Sequence, residues 1–422
     1  MLTKAPRGTK DILPQESYKW HFVENSYRAM CEKYGYKEVR TPVFEHTELF
    51  QRGVGDTTDI VEKEMYTFED HAGRSLTLKP EGTSPAVRAY VEHKQYADPQ
   101  PVKMYYQTPC FRYEKPQAGR LREFHQFGLE VFGTSSMLAD AEVICFAGEF
   151  LKSMGIVNTV LEINSVGCPT CREAYRQALR EYFKPHYDEL CESCRLRYER
   201  NPMRLLDCKS EHDKALAEDA PEILDYLCDD CSADFEDLKN CLDALGMEYV
   251  INPRIVRGLD YYTKTAFEFV SQGIGAQSTV CGGGRYDNLI EEIGGPSVPG
   301  VGFGMGIERL LILMEECGFQ IPEPEPVDVF IAFLGEEARM KAVALMKALR
   351  ENGIKTEMDI LERKVKGQFK YAARLNSRFT VMIGEEELEK GVVQLKNMEL
   401  HDQKETPVDT LVSVITEVVK NQ

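Results

Sequence analysis

Five short stretches of the chain carry side chains of the kinds that bind phosphate, carboxylate or an amine. Lys79-Pro-Glu-Gly-Thr83 ends an apolar run with a carboxylate, a glycine and a hydroxyl. A carboxylate there can receive an ammonium group, and the glycine lets backbone approach a ligand closely, although a turn followed by a helix cap uses the same residues. Cys110-Phe-Arg-Tyr-Glu114, the loop Lys115-Pro-Gln-Ala-Gly-Arg120 and the run from Arg122 to Glu130 read together as a long hairpin with a basic tip. The period of two puts Phe124, Gln126, Gly128 and Glu130 on one face, with Arg112 on the neighbouring strand. Arginine supplies a planar fork for phosphate or carboxylate, and Gln and Glu supply acceptors that orient a ligand. Arg257-Gly-Leu-Asp-Tyr-Tyr262 gathers an arginine, an aspartate and two phenols, and Gly282-Gly-Gly-Arg-Tyr-Asp287 follows after a short interval. Gly300-Val-Gly-Phe-Gly-Met-Gly306 alternates glycine along a strand, leaving a bare face suited to an aromatic base, and runs into a helix carrying Arg309. Its spacing matches neither a P-loop nor a dinucleotide fingerprint.

Cysteine is the other chemical resource. Cys168-x2-Cys171 and Cys191-x2-Cys194 are nineteen residues apart, a spacing that fits a four-thiolate structural zinc site. Cys208, Cys228 and Cys231 are further candidates, so the ligand set stays open, and reduced thiols in a helical segment are the alternative.

The elements that must position these residues follow from periodicity. Helical spacing runs from Tyr18 to Tyr34, stopped by Gly35. Between Val39 and Gly133, strands are expected at 66–68, 76–78, 102–111 and 124–132, with a helix over 84–93. This is an antiparallel α+β pattern, not a βαβ alternation. A helix over 138–155 and a strand over 160–163 follow, then a helical, cysteine-rich stretch from Cys168 to Leu245. Strands resume at 265–270 and 278–281, and a helix spans 306–317. The chain therefore parses as a sheet domain (1–164 and 246–320) interrupted by a helical insertion (165–245). Next come a proline linker (321–326) and a separate α/β domain (327–422). In the last domain Thr406 reads as an N-cap and Pro407 as the first residue of the final helix.

Composition sets the outer limits. The chain has 422 residues, 43% hydrophobic and 28% charged, with 69 acidic against 51 basic side chains for a net charge of −18. These values exclude a disordered chain and a uniformly basic nucleic-acid coat. No apolar run is long enough to span a bilayer and no signal peptide opens the sequence, so a soluble, intracellular protein without a membrane partner is expected. Eleven basic residues concentrate between Arg339 and Arg378, and they suggest a phosphate-rich partner for the last domain.

In combination, the stretches resemble one family across practically the whole chain. Phe111-Arg-Tyr-Glu114 and the glycine strand entering Ile307-Glu-Arg309 look like motifs 2 and 3 of the class II aminoacyl-tRNA synthetases, and Thr41-Pro-Val-Phe-Glu45 is similar to their motif 1 at the dimer interface. Arg257–Tyr262 and Gly282–Asp287 resemble the two signatures of the histidyl-tRNA synthetase family; Lys79–Thr83 and Arg7-Gly-Thr9 also fit. The resemblance implies an antiparallel catalytic sheet, a C-terminal anticodon-binding-type domain, a cytoplasmic homodimer, and L-histidine, ATP with Mg²⁺ and histidine tRNA, not DNA, as ligands.

By the same resemblance Glu81, Gly82, Thr83 and Gln126 would hold the amino acid's ammonium and carboxylate, and Glu130 and Tyr262, with Tyr261 nearby, the imidazole. Arg112 would take the α-phosphate, with Glu114 and Arg309 also on the nucleotide. Arg257 would sit beside the reacting phosphate, and Lys115, Gln117 and Arg120 would meet the tRNA acceptor end. The implied rival is the synthetase-like regulatory subunit of ATP phosphoribosyltransferase, which usually lacks the last domain. A pure tRNA-binding module would leave the ATP-type motifs without a use.

Overall fold

The long hairpin is the centre of the structure. Val102–Phe111 and Glu123–Phe132, rich in aromatic and β-branched residues, pair antiparallel in unbroken register from Val102 opposite Phe132 to Phe111 opposite Glu123. This computed structural model describes residues 3–55, 58–208, 210–255, 258–271 and 279–420, with no side-chain description at 420. Two compact units divide the chain, Met1–Ile321 and Pro322–Gln422.

In the first unit the hairpin belongs to an eight-stranded sheet. Its order is Lys37–Glu38, Val102–Phe111, Glu123–Phe132, Gly300–Gly306, Thr279–Arg285, Thr263–Ser271, Thr159–Ser165, Val250–Ile251. The six long strands are antiparallel, and each two-residue edge strand adds in parallel. Alternation sends Phe127, Leu129 and Val131 to one face, where they pack with Val23 and Tyr27 of the helix Pro14–Lys33 and with Ile144, Phe146 and Phe150 of the helix Met137–Ser153. Tyr27 stacks on Phe127 with ring centroids 4.3 Å apart and donates its hydroxyl to the Gly128 carbonyl at 3.0 Å. Truncating one such buried ring to alanine costs about 3–5 kcal/mol. The opposite face carries Gln126, Gly128 and Glu130.

The glycine triplet 282–284 lies inside the strand Thr279–Arg285, which runs beyond the stretch read from sequence as strand 278–281; Ser278 lies outside the described residues. The physical reason is crowding: a Cβ on Gly283 would collide with the Gly302 carbonyl and the Phe303 and Phe267 side chains on the flanking strands. Arg285, which follows the triplet, is fully buried and serves the fold. It pairs with Asp140 and Asp287 and donates to the Thr134 and Ser136 carbonyls.

The insertion consists of the helices Pro169–Phe183, Glu192–Arg200 and Glu211–Ala217 and the first turns of Asp229–Ala244, joined by short 3-10 segments. It has its own small core, with Tyr175, Leu179, Phe183, Leu190, Leu205 and Ile223 at its centre. The last helix leaves it to pack Phe235, Leu238 and Leu242 into the main core.

The second unit is a five-stranded sheet in the order Thr356–Met358, Val329–Phe333, Phe379–Ile383, Val392–Asn397, Gln403–Pro407. The first three strands are parallel and the last two antiparallel. Val329–Phe333 is buried on both faces, as a central parallel strand covered by helices must be. Thr406 and Pro407 are not a helix cap and first turn. They end the edge strand Gln403–Pro407, opposite Val393 and Val392, and the helix starts at Val408. An edge strand tolerates a proline because its outward side needs no N–H donor. The helix Glu385–Lys390 was not expected from sequence.

Candidate active site

The free face of the first sheet forms a cleft. Glu81, Thr83, Tyr106, Gln126, Tyr261 and Tyr262 line it together with Arg112, Glu114, Arg120, Phe124, Glu308 and Arg309. Residues from four separate sequence stretches thus meet because the antiparallel ladder places Gln126 opposite Gly306, next to the hairpin strand leading to Arg112.

At the inner end, Glu81 accepts the backbone N–H groups of Thr83 at 2.7 Å and Ser84 at 2.8 Å, the first turn of the helix Thr83–Glu92. A carboxylate is favoured there by the unsatisfied donors of a helix start. Behind it lies Glu130, fully buried, accepting hydroxyls from Thr83 at 2.8 Å and Tyr106 at 3.0 Å and, on its other oxygen, from Tyr286. Burial pushes the Glu130 carboxyl up to about 8; the Tyr286, Thr83 and Tyr106 hydroxyls oppose the shift, and the charge of Glu81 adds to it. Glycine is demanded around this cluster. A Cβ on Gly82 or Gly128 would enter the Tyr106 ring, and one on Gly302 would strike the Glu130 carboxyl. Glu130 therefore sits one layer below the cleft, joined to it through Thr83 and Tyr106, and Gly82 backs Tyr106. Tyr261 and Tyr262 are buried with ring centroids 4.7 Å apart.

The other end is cationic. Arg112 donates Nε to the Pro80 carbonyl at 2.8 Å, tying it to the Lys79–Thr83 turn, and its guanidinium lies 5.3 Å from the Phe124 ring centroid. Arg309 donates Nε to the Gly119 carbonyl at 3.0 Å and Nη1 to the Thr279 carbonyl at 2.8 Å. Burial, then the neighbouring charges of Arg120 and Arg112, lower the affinity of Arg309 for its proton, while an arginine stays charged at neutral pH. Arg120 pairs with Glu114, and Glu308 is committed to the His125 backbone N–H at 3.0 Å and ring at 2.9 Å. Three crowded guanidinium groups form a site whose electrostatics improve when a polyanion enters.

Lys115 and Gln117 are exposed on the hairpin loop, where Gln117 and Arg120 exchange backbone hydrogen bonds at 3.0 Å; neither Lys115 nor Gln117 lines the cleft. Arg257 lies outside the described residues. The segment that follows is held by the insertion. Arg172 donates to the Tyr262 carbonyl at 3.0 Å, Arg204 to the Gly258 carbonyl at 3.1 Å and to Asp260 at 3.2 Å, and Asn201 to Asp260 at 3.3 Å. Sequence reasoning missed these three residues and Tyr106, and it quoted Tyr286 and Glu308 within their motifs without giving either a role. A large ring directly opposite glycine, Tyr106 across from Gly128, is the signal that register would have revealed.

The cysteines do not assemble as read from sequence. Cys168 and Cys171 meet Cys228 and Cys231, whereas Cys191 and Cys194 meet Cys208 and Asp213. Cys168, Cys171, Cys191 and Cys194 are thus not one ligand set, because the two CxxC pairs start different helices whose N-termini face different neighbours.

A family profile described as Histidyl-tRNA synthetase matches residues 8–310, and one described as Anticodon binding domain matches residues 328–418. A histidine–tRNA ligase of Caldanaerobacter subterraneus subsp. tengcongensis is 62% identical over 415 residues, covering 98% of this chain and all of that protein. Another, from Thermoanaerobacter pseudethanolicus, is 60% identical over 97% of this chain and 98% of its own length. Among solved structures, apo histidyl-tRNA synthetase of S. aureus matches with a TM-score of 0.84 at 42% identity, over 98% of this chain and 100% of that one.

Proposed function

The chain belongs to the histidyl-tRNA synthetase family of class II enzymes and attaches histidine to tRNA, and we propose that its cleft does so by way of histidyl-adenylate. The observation that carries this reading is the polarity of the cleft: Glu81 and the phenols of Tyr106, Tyr261 and Tyr262 at one end, and Arg112, Arg120 and Arg309, accompanied by Glu114 and Glu308, at the other.

Histidine binds at the inner end. Glu81 and Gln126 face its ammonium and carboxylate, with Thr83 beside them, while Tyr261, Tyr262 and the buried Glu130 layer read the imidazole. ATP lies toward the arginines, with Arg112 at the α-phosphate and Arg309 at the triphosphate end, and Phe124 offers an aromatic surface. Mg²⁺ bound with ATP would shield phosphate charge, and Glu114, buried at this end beside Arg120, is a carboxylate of the type that could hold such a hard cation. A histidine carboxylate oxygen attacks the α-phosphorus, the bond to the β-phosphate oxygen breaks, and pyrophosphate leaves. The terminal ribose hydroxyl of tRNA then attacks the adenylate carbonyl, releasing AMP. Both steps need alignment and charge neutralisation, which fixed guanidinium groups provide. By the family resemblance Arg257 adds a further cation at the reacting phosphate, and Lys115, Gln117 and Arg120 meet the acceptor end.

The second unit takes the anticodon part of the tRNA. Of the eleven basic residues between Arg339 and Arg378, Arg339, Lys347, Arg350, Arg363 and Arg378 are paired with carboxylates; of the other six, Lys364, Lys366, Lys370 and Arg374 cluster at the cap and along the helix Val365–Arg374, where positive charge is offered to RNA. A homodimer through the motif 1 region is supported by exposed Val43, Phe44 and Phe68 on the small sheet Phe44–His46, Ser75–Leu78, Tyr66–Glu69. The enzyme works in the cytoplasm, where its substrates are, and no described helix is long and apolar enough to cross a membrane. Histidine-dependent exchange of pyrophosphate into ATP tests adenylation. A protein ending at Ile321, if it remains a folded dimer, should retain exchange and lose tRNA charging; equal loss of both would overturn the assignment of the second unit.

A further inference from the structure

We infer that the insertion holds two separate zinc ions, one bound by Cys168, Cys171, Cys228 and Cys231 and the other by Cys191, Cys194, Cys208 and Asp213. In each group the four candidate donor atoms lie within 4.8 Å of one another. Tetrahedral zinc with bonds of about 2.3 Å to sulfur sets neighbouring thiolates about 3.8 Å apart. Cys168 and Cys171 are 3.5 Å apart at sulfur, Cys168 and Cys228 4.0 Å, and Cys191 and Cys208 3.9 Å. All thirteen cysteines are free thiols, so no disulfide explains the clustering.

The surroundings suit anionic thiolates. Cys168, Cys191 and Cys228 each cap the N-terminus of a helix, and Cys171, Cys194 and Cys231 stand in the first turns that follow. Helix starts favour negative charge, which a dication with four anionic ligands retains. Backbone N–H groups already point at the donors: Cys228 at the Cys171 sulfur at 3.1 Å, Ser210 at the Cys208 sulfur at 3.4 Å, and Cys191 at one Asp213 oxygen at 3.2 Å. Such contacts are the outer shell that orients metal ligands. Asp213 is also 2% exposed, and its other carboxylate oxygen is buried with no hydrogen-bond partner. A buried orphan oxygen beside three thiols is costly without a cation to receive it.

The fold supplies a reason for two ions. Cys168 and Cys228, sixty positions apart, stand where the chain enters the insertion and where it returns to the main unit, so the first site closes its base. The second joins the short helices Glu192–Arg200 and Glu211–Ala217, which share a small core of the kind that a structural metal most often reinforces. Soft thiolates in tetrahedral reach select zinc over harder cations.

The test is elemental analysis and zinc X-ray absorption on the full-length protein, purified under reducing conditions without chelators. Two zinc ions per chain are expected, with an average shell of seven sulfurs and one oxygen divided between two ions. The paired variants Cys228→Ser/Cys231→Ser and Cys191→Ser/Cys208→Ser should each retain one. Fewer than two ions per native chain, a shell dominated by nitrogen and oxygen, or a folded paired variant that keeps both ions or loses both would overturn the assignment. The absorption measurement needs only native protein, so a variant that fails to fold leaves the test intact.

Discussion

The catalytic sheet and the cysteine-rich insertion solve the same problem, holding a few polar side chains in place, by different means. In the sheet, Gln126, Glu130 and Arg112 are placed by an unbroken backbone ladder and a dense aromatic core. In the insertion, Arg172, Asn201 and Arg204 reach the Gly258–Tyr262 segment from short helices with a small core and two clusters of side chains of the kind that can hold a metal. A ladder positions residues by register, which is local and periodic. Thiolate clusters position them by joining segments far apart in sequence. The sheet should therefore tolerate loss of any one polar contact without rearranging, while the insertion should depend on the two proposed zinc ions for shape.

The largest expected effect is on chemistry at the sheet. Arg112→Ala should slow single-turnover adenylate formation by ~10² or more, the usual cost of deleting one fixed electrostatic donor. Its thermal midpoint should stay near that of the native protein; collapse of the fold would show that the ladder is not self-sufficient. Next, stripping zinc from the holoenzyme with a chelator should raise KM for histidine by about tenfold, the lower range for loss of metal-site order, with KM for ATP nearly unchanged. Hydrogen exchange should accelerate in residues 168–244 and not in the hairpin. Arg204→Ala, which removes contacts to Gly258 and Asp260 while leaving the metals, should raise KM for histidine severalfold, consistent with losing charged hydrogen bonds of about 1.5–3 kcal/mol shared with Arg172 and Asn201.

The smallest effect is a pH dependence confined to the sheet. The Glu130 carboxyl titrates near 8 in the fold against an ordinary 4.5, so the folded state favours the proton. Its stabilising contribution is complete below about pH 4.5 and is lost as pH rises through 8. Differential scanning calorimetry of Glu130→Gln against native protein should show the gap moving in the variant's favour between pH 5 and 8.5. A pH-independent gap would place the carboxylate in a better solvated setting than the structure gives it.

The same contrast explains what could be read in advance. The hairpin 102–132 was legible because its strands alternate cleanly and its turn residues are concentrated, so the shared face of Gln126 and Glu130 followed from a period of two. The depth of Glu130 did not follow, since it depends on Tyr106, Thr83 and Tyr286 arriving from three other places in the chain. The insertion was legible only as helical and cysteine-rich. Seven cysteines allow many foursomes, and spacing alone favoured the nearest pairs, whereas Cys168 finds its partner sixty positions away and Cys191 shares an aspartate that no thiol motif announces. Likewise Thr406-Pro407 has the composition of a helix start, but pairing with Val392 and Val393 prevails.

The central claim is that the two ends of the cleft are separable: the phenol and carboxylate end holds histidine, and the arginine end acts on phosphate. Calorimetric titration of histidine, in the absence of ATP, into Arg309→Ala and Glu130→Gln tests it most directly. Native affinity is expected in Arg309→Ala, which nevertheless forms adenylate slowly, and affinity weakened at least tenfold in Glu130→Gln. Equal weakening in both variants, or native affinity in Glu130→Gln, would contradict it.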